Sequence, residues 1–248
     1  MITPEYYILF AIFLFGGFVK GTLGIGLPTL LLGFLTFLYE PRMAVALILF
    51  AIMAANMRQA MIGGSMWVIV KKHKYFCVFA SVGIFVVSIV GAQVPLPILL
   101  VSVGISMTIF ALSSLFSFIP EISAKYDKVA QITAGIIGGI LGGLTAIWGP
   151  PLAIYLMAHR MEKEQFIQTL GVMFSIQSVF LLAGFIVSGE LTAPLAITGA
   201  ALLVPTFIGM YLGEKLRKRM DTVQFTKVFL CVFLVLGLNL IRRGIWTG

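Results

Sequence analysis

The stretch GGFVKGTLGIGLPTLLLG, residues 16–33, decides the fold. It contains six glycines, one proline and one lysine, Lys20, and it has no acidic residue. Each half has the apolar character of a membrane helix, but glycine and proline in the middle disfavour one continuous helix. The sequence therefore predicts a broken helix with a cationic side chain at membrane depth. Irregular backbone is tolerated there only inside protein or beside a polar cavity.

The composition of the whole chain is that of a membrane protein. Its 248 residues are 60% hydrophobic and 10% charged, with a mean hydropathy of +1.09. Soluble domains are about 25% charged, and the long apolar runs lack the alternation of a β-barrel. We therefore predict an all-α polytopic membrane protein in contact with the lipid bilayer. The net charge of +8 is interpreted as an excess of basic residues in cytoplasmic loops, not as nucleic-acid binding.

The titratable residues argue against a catalytic or metal site. The acidic residues all lie at segment ends or in loops, so no carboxylate is expected at the midplane to bind a cation. His73 and His159 are far apart in the sequence, and Cys77 and Cys231 lie in separate apolar runs. No nucleophile–base pair and no metal-ligand spacing is visible. We predict that the chain is not an enzyme and has no catalytic residue, metal site or cofactor.

Charges and helix breakers divide the chain into two similar halves. The N-terminal repeat, residues 1–120, is predicted to contain a broken or re-entrant helical hairpin at 6–39 and transmembrane helices at 43–63, 75–93 and 97–118. The C-terminal repeat, residues 121–248, is predicted to contain a hairpin at 129–159 and transmembrane helices at 165–188, 191–213 and 225–241.

A related motif surrounds the break in each half. GTLGIGLPTLLL, residues 21–32, occupies the place of LTAIWGPPLAIY, residues 144–155, with Pro28 opposite Pro151. The helix that follows each motif carries an amide side chain at a similar depth. Weak internal similarity of this kind is typical of transporters built from two inverted-topology repeats.

The predicted topology has each hairpin entering and leaving on the same side, followed by three crossings that invert the second half. Twelve basic residues then face the cytoplasm and three, Arg42, Arg242 and Arg243, face outward. A single crossing at 129–159 would give seven inside and eight outside, against the positive-inside rule. The twelve inner residues are Lys71, Lys72, Lys74, Lys125, Lys128, Arg160, Lys163, Lys215, Arg217, Lys218, Arg219 and Lys227.

The number of crossings does not distinguish a re-entrant hairpin from two short crossings, so both stay open. Residues 6–19 would form a helix of only about 21 Å, shorter than a hydrocarbon core of about 30 Å. This length favours a turn inside the membrane for the first hairpin. The segment 129–147 is long enough to span, so the argument is weaker there.

The two breaks are candidates for the walls of an anion site. Glycine lets the backbone approach a ligand closely, and a helix that restarts after a break presents unpaired N–H groups and a positive dipole end. Lys20 adds a full positive charge, and an ionisable residue inside a membrane marks a functional site by default. The predicted substrate-binding residues are Lys20, Gly21, Thr22, Gly24, Gly26, Asn56, Arg58, Gln59, Thr145, Trp148, Gly149 and Gln177.

Simpler interpretations of the same residues also stay open. The glycines can serve close helix packing, since pairs such as Gly17 and Gly21 have GxxxG spacing. Lys20 can extend to an interface, and Asn56 can hold two helices together. Two breaks in matching positions nevertheless favour a shared ligand site over packing alone.

Three longer motifs add a family resemblance. They are GFVKGTLGIGLP followed by PRMAVA, then GGILGGLTAIWGPP, and finally GMYLGEKLRKRM. In this order they resemble the TauE/SafE family of sulfite and organosulfonate exporters, over residues 7–240. The family's glycine motifs carry over to Gly17, Gly21, Gly24, Gly26, Gly139, Gly143 and Gly149. The chain departs from the family's glycine pattern at Leu27, Ala146, Trp148 and Pro150.

The resemblance implies a multi-pass transporter of a bacterial inner membrane whose cargo is sulfite or a small sulfonate such as sulfoacetate. The residues themselves favour an anion, because the site has a cation and two helix N-termini but no acid. We expect export by alternating access around a midplane anion site. An importer of an inorganic sulfur anion and an anion-selective channel are the alternatives. The sequence also allows a homodimer.

Overall fold

The computed structural model describes residues 4–115, 121–217 and 222–246. Within these ranges the chain forms helices joined by short turns and contains no strand, so the predicted all-α class is confirmed. Some predicted features lie outside the described residues. They are the end of the helix expected at 97–118, the boundary between the halves at 120, and Lys218 and Arg219 of the charge distribution.

The helices of the two halves follow one another in a similar order of lengths. The first half contains α1 (Pro4–Leu23), α2 (Leu27–Leu35), α3 (Pro41–Ala60), α4 (Met66–Lys72), α5 (Lys74–Val90) and α6 (Leu96–Leu115). The second half contains α7 (Asp127–Thr145), α8 (Gly149–Met157), α9 (Lys163–Val187), α10 (Ala193–Ala201), α11 (Leu203–Arg217) and α12 (Thr222–Trp246).

Several helices are long and apolar enough to cross a membrane. Among the described residues five such spans occur, and α4 with α5, bent by 86°, can form a sixth. The five are Glu5–Leu23, Pro41–Ala60, Ala124–Thr145, Glu164–Val187 and Ala193–Arg217. The chain is therefore a multi-pass helical membrane protein.

Each half begins with a long helix, a sharp break and a helix of nine residues, α2 or α8. Nine helical residues extend about 14 Å, less than half of a hydrocarbon core of about 30 Å. The first break has positive φ angles at Gly24 (78°) and Gly26 (91°), which glycine adopts without steric cost. The second break has a positive φ of 56° at Ala146, a conformation that is unfavourable for alanine.

Helix α1 is longer than the sequence suggested. We expected about 21 Å of helix before the break, but α1 has 20 residues and therefore extends about 30 Å. The argument from length was wrong because the helix continues through Lys20 and Gly21. Gly21 is tolerated inside the helix because its missing side chain lets α11 approach: a Cβ there would lie 2.2 Å from the carbonyl oxygen of Met210.

The two ends of each broken segment are joined by side-chain hydrogen bonds. In the first, the Tyr39 hydroxyl donates to the carboxylate of Glu5, in the first turn of α1. In the second, the Tyr155 hydroxyl donates to Asp127 at the start of α7 (2.8 Å), and His159 Nε2 lies 2.9 Å from the same carboxylate oxygen. In each broken segment, a side chain that follows the break therefore contacts the first turn of the long helix that precedes it.

Glycines pack each long helix of a broken segment against the other half of the chain. Helix α1 lies along α11, where Gly17 approaches the backbone of Thr206 and Gly213 approaches that of Phe18. Helix α7 lies along α5, where Gly139 and Gly83 meet directly. Small residues let membrane helices approach closely enough for strong van der Waals contact. The two halves are thus interleaved, and each broken segment is held by helices of the other half.

Candidate functional site

The Lys20 side chain is buried beside the first break. It is 3% exposed, and its Nζ donates a hydrogen bond of 2.8 Å to Asn56 Oδ1 on α3. Asn56 Nδ2 in turn lies 3.3 Å from Ser178 Oγ on α9, and Lys20 Nζ lies 5.6 Å from the centre of the Phe174 ring. In the described part of the chain, no carboxylate forms an ion pair with Lys20. The charge is thus held by a neutral amide and an aromatic face.

One narrow cavity joins the two breaks. Its wall contains Lys20 and Asn56 on one side and Trp148 and Gly149 of the second break on another. The whole lining is Lys20, Ile25, Gly26, Pro28, Thr29, Ile52, Asn56, Ala146, Ile147, Trp148, Gly149, Ala153 and Phe174. The structure therefore brings together residues about 120 positions apart in the sequence, as expected for a shared site.

Two helices begin at the wall of this cavity. Helix α2 starts directly after Gly26, and α8 starts at Gly149, each with a proline in its first two positions. The first amides of a helix have no intrahelical acceptor and carry a partial positive charge. With the ammonium of Lys20 they make the cavity electropositive, and no acidic residue lies among its lining residues. Such a site favours an anion.

Comparison with known families agrees with this site. The family model described as Sulfite exporter TauE/SafE matches residues 9–240, nearly the whole chain. The chain belongs to the sulfite exporter TauE/SafE family. No curated protein and no solved structure matches it. Membership in TauE/SafE implies a membrane transporter of sulfite or related anions, which agrees with an electropositive cavity between apolar helices.

In this TauE/SafE protein a second cavity lies on the other side of Lys20. It is formed where α3 and α11 end and where α9 begins. Its lining is Lys20, Gly21, Gly24, Gln59, Ile62, Ile167, Met210, Glu214 and Arg217. The Gln59 amide also donates to the carbonyl oxygen of Ile167 at 2.7 Å, which connects α3 to α9 beside the cavity. Lys20 is therefore the side chain common to both cavities.

Eight of the twelve predicted site residues line one of the two cavities, and four do not. Thr22 and Thr145 bond carbonyl oxygens one turn earlier in their own helices. Thr145 also accepts a hydrogen bond from the Ile147 amide (3.2 Å), so it stabilises the second break itself. Arg58 pairs with Glu214. Gln177 is fully buried, and its amide atoms have no hydrogen-bond partner among the described residues.

The sequence prediction missed Phe174 as part of the site. Its ring lies edge-on to Trp148, with the ring centres 6.0 Å apart and the planes at 80°, and it faces the Lys20 ammonium. A signal was present in the spacing, since Phe174 is one helical turn before Ser178, whose hydroxyl contacts Asn56. The sequence prediction also missed Glu214. Acidic residues are common at helix ends and in loops, so its position in the sequence did not distinguish it.

A polar cluster lies away from the cavities, where the second broken segment closes. His73 Nδ1 is 2.9 Å from the Tyr155 hydroxyl, which joins the turn between α4 and α5 to α8. Burial, together with the nearby charge of Lys72, lowers the pKa of His73 to about 4, so it is neutral at pH 7. Asp127 and His159 complete the cluster. These contacts connect helices, and no group of residues in the described ranges has the composition of a metal site.

Proposed function

We propose that this protein exports sulfite or a two- or three-carbon organosulfonate across a bacterial inner membrane. The anion rests in the cavity between the two breaks, beside Lys20. Access alternates between the two membrane faces as the helices around the cavity move. The two halves then act as inverted repeats, each contributing one broken segment to the site.

The observation that carries this proposal is the burial of Lys20 without an anionic partner. A buried ammonium that lacks a counter-charge is unfavourable by several kcal/mol. Asn56 satisfies one N–H of the group but supplies no negative charge. An anion in the adjoining cavity supplies that charge, and the first amides of α2 and α8 can donate to its oxygens. Family membership, not the geometry, supports sulfur as the element that carries those oxygens.

The inner face is the side from which the anion enters. The second cavity lies between helix ends that the predicted topology places at the cytoplasm, those of α3, α9 and α11. The opposite end of α3 is closed by Arg42. Its guanidinium pairs with Glu190 and also donates to the carbonyl oxygens of Ser88 (2.6 Å) and Gly143 (3.3 Å). This arrangement supports binding from the cytoplasm followed by release outside.

A binding and flux experiment tests the proposal. Purified full-length protein is screened by thermal shift against sulfite, sulfoacetate, isethionate, sulfolactate, taurine and sulfate, and flux of the best ligand is then measured in liposomes. We expect the unfolding temperature to rise with the logarithm of the concentration of one of the sulfur anions once that concentration exceeds the Kd. We also expect saturable flux that is stimulated by the same anion on the other side.

Three results would contradict the proposal. Absence of a shift and of flux for every sulfur anion would exclude the substrate class. Flux that increases linearly with concentration, with no stimulation from the opposite side, would identify an anion-selective channel instead of a carrier. Net transport in the inward direction, measured in vesicles of defined orientation, would identify an importer.

A further inference from the structure

Glu214 is the acidic residue that lines the cavity on the inner side of Lys20. Its two carboxylate oxygens face the guanidinium of Arg58, with Nη2 at 2.7 Å from one oxygen and Nε at 3.2 Å from the other. This two-point contact is the geometry in which a guanidinium binds a group that presents two oxygens on one atom. A sulfonate, sulfite or carboxylate would bind Arg58 in the same way.

The surroundings of this pair are those of an entrance. Arg217, one turn beyond Glu214 on α11, lines the same cavity, as does Gln59, next to Arg58 on α3. Lys20 lines this cavity and also the cavity between the two breaks. Cationic groups of α1 and α11 are therefore both present in its wall. The side-chain carboxylate of Glu214 lines the same cavity, so the chain itself supplies an anionic group there.

We propose that Arg58 is the first binding site for the transported anion, and that Glu214 occupies this site until the anion displaces it. The inference rests on the proposed function, because it concerns how the same anion reaches Lys20. The ligand class is a small anion with at least two oxygens on one atom. Displacement transfers the Arg58 guanidinium from the Glu214 carboxylate to the anion, and no bond is made or broken.

Comparison with the ion pair of Arg42 and Glu190 shows why Arg58 suits this role. The Arg42 side chain is 11% exposed, has two backbone carbonyl acceptors and lies over the Phe185 ring. The Arg58 side chain is 40% exposed, and in the described ranges its ion pair and side-chain hydrogen bonds are with Glu214 alone. A half-exposed pair contributes little to stability, whereas a buried pair with extra hydrogen bonds is strongly held. Arg58 can therefore release its carboxylate at small cost.

Charge-selective thiol labelling tests the inference without measuring transport. Full-length protein with Cys77→Ser, Cys231→Ser and Ile167→Cys places a single thiol in the wall of the inner cavity. Two methanethiosulfonate reagents are compared in detergent, one carrying a sulfonate and one carrying a trimethylammonium group. We expect Glu214→Gln to accelerate labelling by the sulfonate reagent about fivefold, with no acceleration for the cationic reagent.

Further variants identify the cause of that acceleration. Arg58→Gln is expected to slow the sulfonate reagent, and Glu214→Gln combined with Arg58→Gln should lose the acceleration, because both effects act through Arg58. The matched control is Glu121→Gln, which removes the same charge from the exposed pair of Glu121 and Arg160. It should leave both labelling rates unchanged.

The outcomes separate this inference from the proposed function. Equal effects of Glu214→Gln on the two reagents, or no effect on either, would overturn the inference even if sulfonate flux is found. Charge-selective acceleration supports it even if the cargo proves to be another anion. If Glu214→Gln does not fold, Glu214→Asp shortens the side chain and should accelerate the sulfonate reagent in the same direction. Failure of that variant to do so counts against the inference.

Discussion

The two broken segments share one backbone plan but contribute different chemistry. In each, a long helix is followed by a break and by a helix of nine residues that begins at the cavity. The first segment supplies the charge of Lys20 and makes its turn with Gly24 and Gly26. The second supplies the apolar wall of Trp148 and turns at Ala146. The first segment therefore brings a cation to the cavity, and the second brings an apolar wall.

The largest expected effect concerns the side of the membrane that each end of α9 faces, because this tests the predicted topology of the second half. With the native cysteines replaced, Gly189→Cys should react with a membrane-impermeant thiol reagent from outside only, and Met161→Cys from inside only. Both positions lie at or near turns that flank α9, at its opposite ends. Labelling in right-side-out and inverted vesicles measures this. The reverse pattern, or labelling of both residues from one side, would reject the predicted inversion of the second half.

Loss of the charge in the first segment should have the next largest effect. Lys20→Gln keeps a hydrogen-bond donor near Asn56 but removes the cation that faces the anion. We expect the Kd for the preferred sulfur anion to increase at least about 100-fold, the equivalent of roughly 3 kcal/mol for losing one member of a buried charge pair. Titration calorimetry on the purified protein measures this.

The control for Lys20→Gln is Lys215→Gln, which removes the same charge from an exposed position on α11. It should change the affinity less than about twofold, since exposed charges are screened by solvent and salt. Equal affinities of Lys20→Gln and the unaltered protein would show that the charge of the first segment does not bind the anion.

A pair of substitutions should distinguish the two turns by stability. Gly24→Ala forces alanine into a positive φ where its Cβ makes only ordinary contacts, so the cost is one of backbone strain. We expect the unfolding free energy to decrease by about 1–2 kcal/mol. Ala146→Gly relieves the corresponding strain in the second turn and should not decrease the unfolding temperature. If both substitutions destabilise equally, the two turns do not differ in strain.

The smallest effect concerns the polar cluster that closes the second segment. Because the pKa of His73 is about 4 in the folded protein and near 6.5 when unfolded, the unfolded chain binds more protons between these values. The free energy of unfolding should therefore decrease as pH falls from 6.5 to 4. His73→Asn should decrease the slope of unfolding temperature against pH in this range. An unchanged slope would assign the pH dependence to other groups.

Local sequence features predicted a good part of this architecture. Continuous apolar runs with few charges predicted the all-α membrane class, and paired glycine–proline motifs predicted two breaks. Lys20 and Trp148 could be selected because a charge and a bulky ring in such motifs are unusual. The continuation of α1 through Gly21 was not predictable, since it depends on the backbone of α11 approaching that glycine.

The hydrogen-bond and ion-pair partners of the polar side chains also could not be predicted from the sequence. Arg58 and Glu214 are 156 positions apart, and no local spacing connects them. The same holds for Phe174, whose place beside Lys20 results from how α9 crosses α3 and α8. Helix propensity and hydrophobic pattern depend on neighbours along the chain, whereas a site depends on neighbours in space.

The glycine contact between α1 and α11 determines what can move. Where Gly17 and Gly21 meet Thr206 and Met210, backbone touches backbone, with no flexible side chain between them to absorb a shift. The two helices must therefore translate and rotate together as one mechanical element, although one comes from each half of the sequence. A boundary at which this protein can flex is consequently different from the boundary between the two halves of its sequence. Separately expressed halves would each lack the surface against which their long helix is built.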